Sequence, residues 1–259
     1  IVPEALDAAV LDAVMAFLDD LKKTGVQCRD SPGFAVNRIL VPMVNEAFNL
    51  LDERSGGKDA NIVAVANDID SAVMKEMGLL MGPFDLVDLT GIDTICSAAE
   101  VIYEGFGREP RYALSPLLMR YRDQGFLGRK AGRGVYYYAN HHNDPDLNPP
   151  LDAERMGIVR TDSPAFDSTE LLAVVVNECC RAVEEGLVRE PADIELCMEL
   201  GTRWPRGPFR LAGEAGLDRI RAELQERLKI TGDNSRYRPC GLLLDPDAAL
   251  LECMSRKEE

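Results

Sequence analysis

The chain repeats itself, and that constrains its fold more than any other feature. The run VNEAFNLLDE at 44–53 returns as VNECCRAVEE at 176–185. Farther on, 68–95 begins DID and ends GPFDLVDLTGIDTI. It returns at 193–220 as DIE and GPFRLAGEAGLDRI, with Gly-Pro-Phe in register and no gap. A repeat of this length is one structural plan laid down twice. Each copy carries a largely apolar helix that must bury itself, and its twin is the natural partner. The repeat therefore predicts a pseudo-twofold helical assembly.

Periodicity supports helix almost everywhere. Leu6, Val10, Val14, Leu18 and Leu21 share one face of a helix begun near Pro3 and stopped by Gly25. From Asn37, NRILVPMVNEAFNLLDE is apolar on most sides, which predicts a buried central helix kinked at Pro42. NDIDSAVMKEMG reads as a helix capped by Asn67 or Asp68, and GPFDLVDLTGIDTICSAAEVIYEG as a turn and one further helix. SPLLMRYRDQG gives a short helix, and only VQC and VYYY read as extended. Residues 139–168, rich in Asn, Asp and Pro, have the composition of a linker or long surface loop.

Composition narrows the function. With 259 residues, 46% hydrophobic and 28% charged, the chain is ordinary for a folded protein. Forty-four acids against 29 bases leave a net charge of -15, which argues against nucleic acid and anionic membranes as partners. No apolar run approaches the roughly 20 residues needed to span a bilayer, and the start has no signal-peptide pattern. None of the seven cysteines stands in a CxxC pair, so neither a zinc site nor a thioredoxin-type motif is signalled. Scattered thiols suit a reducing, cytoplasmic setting. The chain opens at Ile1 within a helical pattern and without an initiator Met, which suggests a piece of a longer polypeptide.

Polar residues that interrupt the apolar pattern are the candidates for chemistry. Asn37 and Arg38 follow a Pro-Gly turn at the start of the apolar helix. They either satisfy helix-terminus groups or present an amide donor to a cleft, where it could bond a substrate carbonyl or hydroxyl. The matching positions in the second copy are Thr169 and Glu170. The feature is thus not duplicated, which tilts it toward function. Asn45 and Asn177 do recur, as do Glu46 and Glu178, so these read as structural hydrogen-bond partners. The loop Gly128–Gly134, GRKAGRG, sets three cations among three glycines. It could hold a phosphate or be a solvated turn, and it matches neither nucleotide fingerprint. His141 and His142 lie in the linker, where solvation explains them, and Cys179 and Cys180 read as small buried hydrophobes. No nucleophile–base pair and no general base is visible.

Three motifs, RDSPGFAVNRILVPMVNEA, NDIDSAVMKEMGLLMGPFDLVDLTGIDT and FLGRKAGRGVYYY, together resemble the C-terminal helical domain of L-3-hydroxyacyl-CoA dehydrogenases over residues 29–138. The second copy resembles the degenerate tandem domain of the fatty-acid β-oxidation multienzymes. The resemblance implies an all-α fold of two tandem domains, similar to the 6-phosphogluconate dehydrogenase C-terminal domain and packed as a pseudo-dimer. It implies a remnant of the NAD-binding domain at 1–30, a first helical domain at 31–143, a linker at 144–168 and a second, degenerate domain at 169–259. It further implies NAD-dependent oxidation of a (3S)-3-hydroxyacyl-CoA to the 3-oxoacyl-CoA, with this segment as substrate-side lid and pairing surface. The family's catalytic histidine and glutamate and its NAD loop belong to a domain not found in this sequence. Asn37 matches the asparagine that lies near the reacting acyl group, and Lys130 the lysine that approaches the cofactor. Val135 departs from the family's phenylalanine in that loop. The expected partners are an acyl-CoA, the NAD-binding domain of the same protein and, as an option, a second copy. The isolated chain is expected to be inactive. The alternatives are a non-enzymatic helical oligomerisation module or a related β-hydroxyacid dehydrogenase with another substrate.

Overall fold

The computed structural model describes residues 1–2, 6–56, 59–138, 165–232 and 234–256. Among these residues the regular structure is helical, and β-pairing amounts to isolated bridges. VQC and VYYY thus fall short of strands.

Two helices form the middle of the molecule. In α2 (Val36–Ser55) 13 of 20 residues are buried, and in α7 (Thr169–Glu184) 12 of 16. That is more than a helix packed on one face can hide, so each must be covered all round. They pack directly on each other. Around α2 stand α3 (Asp59–Glu76), α4 (Pro83–Thr90), α5 (Ile92–Gly105) and α6 (Pro116–Asp123). Around α7 stand α8 (Pro191–Thr202), α9 (Pro208–Ala215), α10 (Leu217–Thr231) and α11 (Gly241–Leu244). A last helix, α12 (Ala248–Ser255), lies on α8 and α9. One hydrophobic core runs through both sets, from Ile39, Phe48 and Phe84 to Val176, Phe209 and Leu250.

The repeated Gly-Pro-Phe is a helix start. Proline at the first helical position sacrifices no needed N–H, and the acid of the preceding helix supplies the cap. Asp70 accepts from the backbone N–H of Phe84 at 3.0 Å and of Asp85 at 3.2 Å. Glu195 accepts from Phe209 N–H at 2.7 Å. A Cβ on Gly82 or Gly207 would collide with those carboxylates, so glycine is required at both places.

Several sequence expectations need correction. The first helix, α1 (Ala8–Asp20), starts beside Asp7, whose carboxylate accepts from Ala9 N–H, and it ends well before Gly25. Pro3 lies outside the described residues. Asn67 and Asp68 cap nothing, because α3 begins at Asp59 and carries them in its interior. Asp68 instead accepts from Ala165 and Phe166 N–H across the fold. Gly91, at φ 104°, divides the expected single helix into α4 and α5. Pro42 stands inside α2, where the sequence placed it. His141, His142 and most of the linker (139–164) fall outside the described residues.

Candidate functional site

Asn37 reaches its position through a tight turn. Gly33 sits at φ 80°, where an added Cβ would press on Arg38 N at 3.0 Å and Ile102 Cδ1 at 2.9 Å. Phe34 follows at φ 47°. The chain then enters α2 with Asn37 exposed in its first turn and Arg38 fully buried. Adjacent helical residues point about 100° apart, which is how one is wet and the next dry. No hydrogen bond holds the Asn37 amide among the described residues, whereas Arg38 is bound twice: its Nε to Glu178 Oε1 at 2.9 Å and its Nη2 to Glu185 Oε2 at 2.6 Å. Burial opposes charge at Arg38, but Glu178, Tyr112 and Glu185 outweigh it and hold its pKa above the ordinary value.

Asn37 is not part of the nearest groove's lining, but Val36 and Leu40 of the same helix turn line that groove, of about 400 Å³. Its walls are Met43, Leu79, Leu86 and Leu89 from the first unit and Gly201–Trp204 from the second. Arg203 is the one ionisable side chain among its described lining residues. The groove can take an apolar chain and exclude water from it. Its described lining offers no carboxylate or imidazole to move a proton.

Lys130 stands elsewhere, over the α4–α5 junction. Its Nζ bonds both oxygens of Asp93, at 2.6 and 2.7 Å, and that bond holds the Asp93 carboxyl below its usual range. The other loop cations are also engaged: Arg133 lies 3.5 Å over the Phe126 ring and Arg129 5.8 Å over Tyr138. The glycines have a packing reason as well, because a Cβ on Gly128 or Gly134 would collide with Asp88. Asp88 is buried and accepts from Val135 N–H, Tyr136 N–H and Tyr138 OH at 2.9, 2.9 and 2.8 Å. Burial raises its pKa to about 6 against those bonds. GRKAGRG is therefore an anchored loop and not a solvated turn. It presents one exposed cation and no dinucleotide cradle.

Asn45 and Asn177 play the structural part their recurrence suggested. Each serves a loop: Asn45 bonds Ala113 O and Ser115 N–H, and Asn177 bonds Arg238 O and Cys240 N–H. Sequence reasoning missed the loops themselves. Arg111-Tyr112 and Arg236-Tyr237 stand at the same distance after the two Gly-Pro-Phe motifs, a legible signal.

The family profile described as 3-hydroxyacyl-CoA dehydrogenase, C-terminal domain, matches residues 33–138 and 166–249. The chain belongs to this family. A probable 3-hydroxybutyryl-CoA dehydrogenase of Bacillus subtilis (strain 168) is 41% identical over 125 residues, 48% of this chain and 40% of that protein. A 3-hydroxybutyryl-CoA dehydrogenase of Bradyrhizobium diazoefficiens is 40% identical over 134 residues, 52% of this chain and 43% of that protein. The chain thus spans about two fifths of the curated relatives it matches. The crystal structure of 3-hydroxybutyryl-CoA dehydrogenase from Escherichia coli K12 shares the fold, with a TM-score of 0.76 at 24% identity over 97% of this chain and 66% of that one. This family's dehydrogenases use NAD, which Lys130 alone does not cradle. No described helix is long and apolar enough to cross a membrane.

Proposed function

We propose that this chain is the substrate-side helical part of an NAD-dependent (3S)-3-hydroxyacyl-CoA dehydrogenase of fatty-acid β-oxidation. The observation that carries the reading is Asn37, an exposed, unengaged amide on the helix that lends Val36 and Leu40 to an apolar groove. The amide is a donor for the acyl carbonyl or the 3-hydroxyl, and the groove accepts the acyl tail at about 0.8 kcal/mol per buried methylene. Nothing in the groove's described lining takes the hydroxyl proton, and we assign that step to another domain of the same protein. NAD, when bound there, accepts the hydride.

The uncovered face of α1 supports the same division of labour. Val10, Val14, Phe17 and Leu21 are each about half exposed, and a stripe of this kind fits against a neighbouring layer. We read residues 1–30 as the end of an NAD-binding domain, 31–143 and 169–259 as tandem helical domains, and 144–168 as the linker between them.

In the complete protein, Asn37→Ala should lower kcat for acetoacetyl-CoA reduction by about 10²-fold, as loss of a preorganised donor does. The chain alone should show no turnover. An unchanged kcat in Asn37→Ala would overturn the reading of Asn37, and turnover by the chain alone would overturn the division of labour.

A further inference from the structure

Two ionic clusters, built around the buried Glu178 and Glu46, join the halves of the molecule and draw on corresponding residues. In one, α7 supplies Glu178 and its C-cap Glu185, and the first unit supplies Arg111 and Tyr112: Tyr112 OH donates to Glu178 at 2.5 Å and Arg111 to Glu185 at 3.0 Å. In the other, α2 supplies Glu46 and Glu53 and the second unit supplies Arg236 and Tyr237. Tyr237 OH donates to Glu46 at 2.8 Å and Arg236 at 2.9 Å. The correspondence breaks at the cations: Arg111 goes to Glu185 but Arg236 to Glu46, and the third cation differs altogether. Glu53 is answered by Arg227 of α10 at 2.8 Å, whereas Glu185 is answered by Arg38, the neighbour of Asn37.

The ends of the central pair make the break plainer. The start of α7 meets the end of α2 through Glu170 and Arg54. That order sets an acid at a helix N-terminus and a base at a C-terminus, as the helix dipoles favour. The start of α2 meets the end of α7 through Arg38 and Glu185, the opposite order. A joint built for stability alone would repeat the first arrangement. What the reversed one gains is a guanidinium, laid 4.8 Å from the Phe106 ring centre and bound by two carboxylates, that fixes the first turn of α2.

We infer that Glu178 and Glu185 of the second unit are positioning residues for Asn37, acting through Arg38, so that the degenerate copy holds the first copy's substrate amide in place. This deepens the proposed function and rests on it. A displacement of about 1 Å in such a group can cost about 10²-fold in rate.

The second cluster supplies a control, with Glu46 as buried as Glu178 and Glu53 more exposed than Glu185. In the complete protein, Glu185→Gln and Glu178→Gln should each lower kcat at least tenfold, while Glu53→Gln and Glu46→Gln lower Tm similarly and leave kcat within about twofold. Glu185, about a third exposed on its side chain, is the gentler probe should Glu178→Gln not fold. In an Asn37→Ala background, Glu185→Gln should cost no further kcat, because the group it positions is gone. Equal kcat losses in both clusters, or a Glu185 effect that multiplies on Asn37→Ala, would overturn the inference. If Asn37→Ala alone leaves kcat unchanged, the proposed role of Asn37 fails first and takes the inference with it.

Discussion

At the start of α2 the sequence reads Val36-Asn37-Arg38, and at the start of α7 it reads Ser168-Thr169-Glu170. The two helices are otherwise close copies. Each places an asparagine against an Arg-Tyr loop and a glutamate in a cluster that crosses to the other unit. The copies agree where the assembly must hold together and disagree where one of them meets the groove. Duplication fixed the first set of residues twice, and on the proposed reading only one copy serves the substrate.

A second difference lies at the outer edge. The first unit packs the GRKAGRGVYYY loop on α4 through Asp88, whereas in the second unit the position matching Asp88 is Gly213, and α12 fills the space. Asp88→Asn should therefore unpin only the first unit, and it carries the largest expected loss. An asparagine cannot accept from both Val135 and Tyr136, so one N–H is left facing an amide donor. Each buried unmade bond costs about 1–3 kcal/mol, and we expect about 3 kcal/mol by chemical denaturation. A loss under about 0.5 kcal/mol would show that the loop does not depend on this anchor.

The capping acids allow a pH test of the second unit. Glu195 has its pKa raised to about 7, by burial first, against the Phe209 N–H and Arg210 that lower it. In the unfolded chain the group returns to an ordinary carboxylate value. Between about pH 4.5 and 7 the folded state therefore binds the extra proton, and stability falls as pH rises through that window. Glu195→Gln keeps an oxygen for Phe209 N–H and removes the titration. The variant should flatten the fall by up to about 2 kcal/mol, read from denaturation midpoints at pH 5 and 7.5. An unaltered slope would put the titration elsewhere.

Asn45→Ala and Asn177→Ala probe what the units share. Each substitution strands one loop N–H, of Ser115 or Cys240, while Ala113 O keeps its bond from Arg236 and Arg238 O its bond from Arg181, at a cost of about 1–2 kcal/mol. The two losses should agree within about 0.5 kcal/mol. A clear inequality would mean that the second copy has loosened at its centre as well as at its edge.

Much of this plan was legible in the repeat. The central helices follow from an apolar pattern too wide for one face, and the structural reading of Asn45 and Asn177 follows from their recurrence. The burial of Arg38 was not legible, because its partners lie 140 and 147 positions away and no local pattern links them. The groove escaped for the same reason, since its walls come from four separate stretches of chain. In GRKAGRG, glycine between cations fits a phosphate cradle and a close backbone crossing equally well, and only the place of Asp88 decides between them. The start of α3 was missed because Asn67 and Asp68 look like caps wherever they stand. Here the apolar residues upstream, Ile62, Val65 and Ala66, extend the helix past them.

The smallest expected effect on stability separates the two candidate site residues from each other. Lys130 and Asp93 form an exposed pair, and such pairs contribute about 0–1 kcal/mol because water screens them and two side chains lose freedom. Lys130→Ala should shift the denaturation midpoint by no more than about 0.5 kcal/mol. Any larger consequence must then come through a ligand. In the complete protein we expect Lys130→Ala to raise the KM for NADH several-fold and leave that for acetoacetyl-CoA near its original value, with Asn37→Ala showing the reverse emphasis on kcat. Asp93→Asn distinguishes the lysine's two uses. It frees Nζ from its carboxylate partner, so if Lys130 serves the cofactor the KM for NADH should fall, and if the pair only ties the loop to α5 neither constant should move.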